Sequence, residues 1–339
     1  MINIIVDTLG GDNSPNANIE GAVMALKKYR DIKIIFVGDT KIISDKLNEL
    51  KCSWERISII HAPDVISCND KPTDAIRQKT NSSLYRAFET LKEDEEINAF
   101  VSNGSTGAII AGAVLRLGRI KGIKRPALCP ILPTMNKKIV AVCDSGANVE
   151  CDENMLYQFA IMANLYMQKA YNLESPKIAL LNVGTEEEKG DTLRKSVYAM
   201  LKNDSSINFV GNMESRDVLS GKYDVVVCDG FSGNVLCKST EGSCLEMLKL
   251  LKRTLTKNFK TKLGAAFLKR DVIELKDFMD YNNYGGAVLL GCSKTIVKAH
   301  GSSKAITIMH CIEQAYNIEK NGLREIIQEE INKKTIHNT

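Results

Sequence analysis

The stretch FVSNGSTGAIIAGA, Phe100 to Ala113, joins an apolar strand-like run to a helix-like one through small and polar residues, Ser102 to Thr106. A buried strand that turns at once into a helix is the repeating unit of an α/β protein. The same order recurs along the chain. INIIV is a short β-branched run, and Pro15 to Tyr29 follows with helical spacing. IKIIFVG precedes a helix over 40–50, and ISIIHA precedes a polar stretch and a helix over about 82–93. KIVAVCD, KIALLNVG, INFVGN and DVVVCDG read as further strands, with helices at about 153–171, 187–202 and 232–257. GAVLLGC, TIVKAHG and a helix over about 303–320 come last. Continuous apolar strands separated by helices predict a doubly wound α/β fold, with a mostly parallel sheet covered on both faces. No internal repeat, low-complexity tract or Pro/Ser linker divides the 339 residues, so one domain over 1–339 is expected, with a two-lobed version as the alternative. The segment LTKNFKTKLGAAFLKRDVIELKDFM (255–279) breaks the alternation. It is Lys-rich with interspersed Leu and Phe, and it predicts a helical excursion over about 255–280.

Composition narrows the function classes. The chain is 44% hydrophobic and 25% charged, ordinary for a globular protein with a large core. A net charge of +4 with acidic and basic residues well mixed lacks the basic bias of a nucleic-acid binder. The ten cysteines form no C-x-x-C pair, and several sit in apolar runs such as VVVCDG, so reduced, buried thiols are expected. The opening MINIIVDTLGG is too short, and too soon interrupted by Asp7, to resemble a signal peptide. No apolar run reaches the ~18–20 residues of a membrane span. A cytoplasmic protein is expected.

In an open parallel sheet, ligands bind at the carboxyl ends of the strands. The residues there are polar and small: Asp7, Gly10, Gly11 and Asp12; Asn103, Gly104, Ser105 and Thr106; Asp144, Ser145, Gly146 and Asn148; Asn182, Gly184 and Thr185; Asp229, Gly230, Ser232, Gly233 and Asn234. One such end is what any turn needs. Several together predict a wide polar cleft. The Asn103–Thr106 turn opens a helix, where backbone N–H groups and the positive end of the helix dipole favour an anion. A capping Ser105 would account for one polar residue of that turn, but not for Asn103, Ser105 and Thr106 together with two glycines. In GTEEEKGD (184–191), Thr185 and Glu188 fit a capping box. Lys189 would then oppose the dipole of its helix, so it is either neutralised by Glu186 and Glu187 or faces an anion. His300 stands at a strand end before a Gly-Ser-Ser turn and is either structural or part of the same cleft. The chain has no P-loop, no G-x-G-x-x-G after its first strand, no G-x-S-x-G and no H-E-x-x-H. The residues by themselves stop at an α/β protein with an anion-binding cleft.

The same segments, in the same order, resemble the PlsX family of phosphate acyltransferases. IIVDTLGGDNSP is similar to that family's opening, with Thr8 and Leu9 in place of Ala and Met. SNGSTGAIIAGA, RPALCPILPT, DSGANVECDENML, ALLNVGTEEEKGD, FVGNMESRDVLSGKYDVVVCDGFSGNVLCKSTEG, NNYGGAVLLG and AHGSS follow, from residue 2 to about 315. GCSKTIVKAHG departs from the usual glycine-containing form of its segment. The resemblance implies a Rossmann-like α/β/α fold of the isocitrate/isopropylmalate dehydrogenase type. It implies transfer of a long-chain acyl group from acyl carrier protein to inorganic phosphate, giving an acyl phosphate. That product would feed a membrane glycerol-3-phosphate acyltransferase in phospholipid synthesis. A homodimer associated peripherally with the membrane is implied, with no cofactor and no metal. A phosphotransacetylase-like enzyme using a short acyl-CoA, an isocitrate dehydrogenase-type oxidoreductase with an Asp-rich metal site, and a membrane-surface scaffold are the competing readings.

Carried onto this chain, the resemblance makes Lys189 and Asp229 the catalytic candidates. Lys189 would neutralise phosphate or the developing oxyanion, and Asp229 would orient Lys189 or accept a proton. The Asn103–Thr106 turn would bind phosphate. Asp7, Gly10, Gly11, Asp12, Asp144, Asn148, Asn234 and His300 would complete the phosphate and substrate pocket. Phe259, Leu263 and Phe267 fall near one helical face flanked by lysines, which suits anionic lipid or the acidic carrier protein. A solvated helix at a dimer interface explains that face equally well.

Overall fold

The computed structural model describes residues 1–279 and 281–337. Its strands are β1 (Ile2–Asp7), β2 (Ile32–Gly38), β3 (Ile57–His61), β4 (Ile97–Ser102), β5 (Ala127–Cys129), β6 (Ile131–Pro133), β7 (Ile139–Cys143), β8 (Lys177–Asn182), β9 (Asn208–Glu214), β10 (Val225–Val227), β11 (Ala287–Leu290) and β12 (Thr295–Lys298). They build two sheets. The seven-stranded sheet runs β3-β2-β1-β4-β12-β11-β5, and the five-stranded one runs β6-β7-β10-β8-β9. Pairing is parallel apart from the antiparallel contacts of β11 with β12 and β5, and of β6 with β7. The expected α/β class with mostly parallel strands is therefore present. The strands are divided between two sheets, because one extended segment serves both: β5 pairs in the first, β6 in the second, and only Pro130 separates them.

The helices are α1 (Asn16–Lys28), α2 (Thr40–Glu49), α3 (Pro72–Gln78), α4 (Ser83–Glu93), α5 (Thr106–Gly112), α6 (Glu153–Tyr171), α7 (Thr192–Lys202), α8 (Gly230–Leu255), α9 (Phe259–Phe267), α10 (Lys269–Met279), α11 (Ala305–Lys320) and α12 (Leu323–His337). Alternate residues of the first sheet supply both faces. Ile4, Val6, Phe36 and Val101 share a core with α1 and α11, whereas Ile5, Val37, Phe100 and Ile296 pack on α4 and α5. This period of two, apolar on both sides, is why these strands read as continuous hydrophobic runs. The first of these cores continues into the second sheet through α6, whose Leu156, Phe159, Met162 and Tyr166 are fully buried beside Ala141, Ile178 and Val225. Leu-, Phe- and Met-rich helical positions buried on most sides need more than one covering layer, and the second sheet together with α7, α11 and α12 provides it. Tyr166 would cost a buried hydroxyl, but Gln314 Nε2 donates to it at 2.5 Å.

The excursion is present as α9 and α10, neither of which has a buried residue. Phe259 and Phe267 are 80% and 83% exposed. Asn258 and Thr261 close a capping box at the start of α9, so the helix is locally specified although no core holds it. Among the described residues no helix is long and apolar enough to cross a membrane. The ten cysteines are all free, and five of them are buried.

α12 is tied to the second sheet by Lys334, which donates to Asp204 Oδ2 at 2.6 Å and to Ser206 Oγ at 2.8 Å, while Tyr157 of α6 donates to the same carboxylate at 2.7 Å. Burial pushes the Asp204 carboxyl up, but the bonds from Lys334, Ser206 and Tyr157 outweigh it and bring it from 3.8 down to about 2. A depressed folded-state value stabilises the fold above the unfolded value of 3.8, and that stabilisation disappears as pH falls toward 2. Asp204→Asn is therefore expected to lower the thermal unfolding midpoint at pH 7 relative to wild type. The gap should close as the pH is taken from about 4 toward 2; a gap independent of pH would contradict this account.

Candidate active site

Both sheets direct the carboxyl ends of their parallel strands toward one cleft, and a buried carboxylate organises each side. In the first sheet Asp7, 1% exposed at the end of β1, accepts from Ser102 Oγ at 2.7 Å and from the Leu9 N–H at 3.0 Å. Burial pushes its carboxyl up, and the Ser102, Ser83, Leu9 and Gly10 donors act against that. Asn103 is buried too, and exchanges bonds with Asn18, whose Nδ2 also donates to the Asp7 carbonyl at 2.7 Å. The β1 loop passes so close to the β4 turn that a Cβ at Gly10 would lie 2.5 Å from the Gly104 nitrogen. Gly11 adopts a φ of +82°, and Asp12 donates its N–H to the Gly301 carbonyl at 2.8 Å. Asp7 and Asn103 thus spend their side-chain bonds on the protein and shape the cleft from beneath.

The second sheet repeats the device. Asp144, fully buried at the end of β7, accepts from the N–H groups of Leu128, Gly146, Ala147 and Asn148 and from Asn148 Nδ2, at 2.6–3.2 Å. Burial raises its carboxyl, and these donors oppose the rise. The Asn148 carbonyl accepts from the Gly230 N–H at 2.7 Å, and Asn234 Nδ2 donates to the Ser145 carbonyl at 3.3 Å. Gly233 packs directly against the Asp144 carbonyl, where no Cβ fits.

Between these edges lies a cavity of about 500 Å³. Its polar end is made by Thr106, Ser145, Asn234, Lys298 and His300. Leu128, Ile131, Leu132, Leu219, Leu245, Leu248 and Met279 supply apolar walls. Ser105 stands at the N-cap of α5, yet no side chain caps that helix. Capping therefore does not account for Ser105 here. His300 Nδ1 accepts from the Ser302 N–H at 3.3 Å and lies 2.8 Å from Ser302 Oγ. Burial first, then the charges of Lys298 and Lys238, hold its pKa below 6.5, which favours the neutral ring.

The structure does not place Lys189 and Asp229 in the cavity wall. Lys189 belongs to an exposed loop before α7, not to the first turn of a helix: α7 starts at Thr192, capped by Asp191, so Thr185 and Glu188 form no capping box for it. Glu187 pairs with Lys202 at 2.7 Å, and among the described residues the Lys189 ammonium has no ion-pair partner. Asp229 caps α8 through the Ser232 N–H and pairs with Arg194, which also binds Asp191 at 2.8 Å. The expectation that Asp229 orients Lys189 therefore gives way to a different partner. Arg194 links the caps of α7 and α8, so it spans the two strand ends that carry the catalytic candidates. It was missed in the sequence because GDTLRKS reads as an ordinary helix start. Lys298 was missed as well, although a lysine closing the buried run TIVK was a visible signal. Asp7, Asp144 and Asn148 lie under the turns at the strand ends, Asp12 is exposed on the loop after β1, and Thr106, Asn234 and His300 line the cavity. Among the described residues no group of three or more His, Cys, Asp or Glu side chains is placed to hold a metal ion.

Solved structures share this architecture. A phosphotransacetylase from Streptococcus pyogenes superimposes with a TM-score of 0.59 over 94% of each chain at 16% identity. A putative 4-hydroxythreonine-4-phosphate dehydrogenase from Salmonella typhimurium gives 0.52, over 94% of this chain and 99% of that one, at 12% identity. At those identities the likeness defines the fold class, that of the phosphotransacetylases and this type of dehydrogenase. Sequence comparison goes further. The family model described as "Fatty acid synthesis protein" matches residues 2–325. Proteins named phosphate acyltransferase from Caldanaerobacter subterraneus and Clostridioides difficile are 47% and 42% identical, over 97% of this chain and 97% and 96% of theirs. The chain belongs to the phosphate acyltransferase family, a family of transferases.

Removing the Asp144 carboxylate would leave several buried N–H groups without an acceptor, at about 1–3 kcal/mol each. Asp144→Ala is expected to cost at least ~3 kcal/mol by denaturant unfolding. Asp144→Asn, which keeps one acceptor oxygen, should cost less. Equal stability of Asp144→Ala and wild type would show that the turn does not depend on this carboxylate.

Proposed function

We propose that this chain transfers a long-chain acyl group from acyl carrier protein to inorganic phosphate, releasing acyl phosphate for phospholipid synthesis. The observation that carries the reading is the cavity: polar at the strand ends, apolar along α8 and β6, and within the size range of a site that encloses a small molecule. A thioester carbonyl seated at the polar end would extend its hydrocarbon tail along Leu132, Leu219, Leu245 and Leu248. A phosphate oxygen attacks that carbonyl carbon, the C–O bond forms, the C–S bond breaks, and the carrier leaves as its thiol after taking up a proton. Phosphate is itself the nucleophile, so the protein's work is to orient a dianion and to stabilise the oxyanion. Orientation alone can contribute up to ~7–11 kcal/mol, and each well-placed oxyanion donor ~10²–10³ in rate.

In this reading the Asn103–Thr106 turn receives phosphate, and Lys189 neutralises it or the oxyanion. Asp229, held by Arg194, accepts a proton. Asp7, Gly10, Gly11, Asp12, Asp144, Asn148, Asn234 and His300 shape the pocket. The exposed Phe259, Leu263 and Phe267 meet the membrane surface or the carrier protein. The protein works in the cytoplasm as a peripherally membrane-associated homodimer and passes its product to a membrane glycerol-3-phosphate acyltransferase.

Purified protein mixed with long-chain acyl-ACP and inorganic phosphate should release the carrier thiol only when phosphate is present, with the acyl phosphate trapped as its hydroxamate. Release with acetyl-CoA and not with acyl-ACP would transfer the reading to a phosphotransacetylase-like enzyme. Lys189→Ala is expected to lower turnover by at least about tenfold, the scale of one lost charge-stabilising contact; wild-type turnover would remove Lys189 from the mechanism. Liposome flotation of Phe259→Glu/Phe267→Glu should be weaker than that of wild type, and unchanged flotation would assign these rings elsewhere.

A further inference from the structure

Lys298 is a cation in an unusual place. It closes β12, which is buried in the middle of the first sheet, and its Cα is in register with Ser102 at the end of β4. Residues of β12 and β4 that pair in register point to the same side of the sheet, so Lys298 shares a face with Ile296 and Phe100 and lies on the side that carries α5. Its side chain reaches the polar end of the cavity, where Thr106, Ser145, Asn234 and His300 are its fellow wall residues. No carboxylate among the described residues is within ion-pair distance of it. The adjacent wall cation, Lys238 of α8, is by contrast matched by Glu241 at 3.4 Å. An ammonium withdrawn from water is costly without a counter-charge. Burial and the neighbouring Lys238 charge accordingly hold its pKa below 10.5.

We infer that Lys298 binds the phosphate substrate inside the cavity, its ammonium supplying the counter-charge beside the Thr106 hydroxyl and the His300 ring. The inference rests on the acyltransferase reading and adds to it a cation at the apolar tail's own polar end, distinct from the exposed Lys189. A dianion there would satisfy an ammonium that has no ion-pair partner among the described residues, and the cavity wall would exclude the water that competes for it. The same chemistry could come from the phosphodiester of the carrier's prosthetic group, so the kinetic arms must separate the two sources.

The test is steady-state kinetics of Lys298→Met and Lys298→Arg with acyl-ACP and phosphate varied independently. Loss of a charged hydrogen-bond donor corresponds to roughly tenfold or more in affinity. Lys298→Met is expected to raise the KM for phosphate by about that factor while the KM for acyl-ACP stays within about twofold, and Lys298→Arg should recover part of the loss. A folded Lys298→Met with an unchanged phosphate KM overturns the inference, as does a rise confined to acyl-ACP, which would assign the ammonium to the carrier's phosphodiester. Should the Met variant fail to fold, wild type answers instead: inorganic phosphate should protect Lys298 from acetic anhydride in peptide mass spectrometry, and no protection overturns the inference. If wild type shows no phosphate-dependent thiol release, the acyltransferase reading fails separately. Calorimetry with inorganic phosphate alone then decides whether Lys298 holds the anion, by its binding to wild type, its loss in Lys298→Met and its partial return in Lys298→Arg.

Discussion

The hydrogen bond from the Leu128 N–H to the Asp144 carboxylate joins the two halves of this molecule. Leu128 belongs to β5 in the first sheet, and Asp144 directly follows β7 in the second. The Ser145 N–H returns a bond to the Leu128 carbonyl at 2.9 Å, and the Asp144 N–H binds the Cys228 carbonyl at 2.8 Å. The buried carboxylate thereby fixes the crossover between sheets and its own turn, and the backbone of the same residue holds the approach to α8. The cleft exists because these three are held at once. An interaction of this kind is strong where water is excluded, and its removal is felt at every group it satisfied.

The two edges of the cleft follow one plan. Asp7 and Asp144 each end a parallel strand, each gather the N–H groups of a small-residue turn, and each lie beneath the start of a helix. Asp7 and Asp144 are the foundation of the site, and the polar end of its surface is made by shorter or neutral groups such as Thr106, Ser145 and Asn234, while the wall carboxylate of Glu241 is paired with Lys238. Such a division suits a reaction whose nucleophile is a dianion. Carboxylates in direct contact with phosphate would repel it, whereas buried carboxylates saturated by backbone donors present those donors' peptide dipoles in fixed positions.

Much of this was legible in the sequence, because each buried strand is a run of alternating faces that are both apolar, as in INIIV and IKIIFV. The carboxyl-end rule points to turns of which Thr106, Asn234 and His300 line one cavity. The division into two sheets was not legible. It depends on three-residue strands on either side of Pro130, too short to carry a periodic signal. The start of α7 was misplaced for a local reason: Thr185 and Asp191 both resemble caps, and only the chain's path selects Asp191. The partner of Asp229 depends on the meeting of two helix starts that brings Arg194 to it across 35 residues, which no spacing rule reports. Lys298 was hidden by its neighbour, since the histidine of KAHG drew attention that its lysine shares.

One wall of the cavity comes from Lys276 and Met279, on a helix with no buried residue. A wall without a core of its own is compliant: displacing it breaks few apolar contacts, so it belongs to the low end of the molecule's local opening free energies. The opposite wall, from Leu128 to Pro133, is anchored in both sheets and is stiff. The cavity is thus a vessel with one rigid side and one yielding side. A change in its width would fall on α10 and not on the strand ends, where both sheets hold the chain.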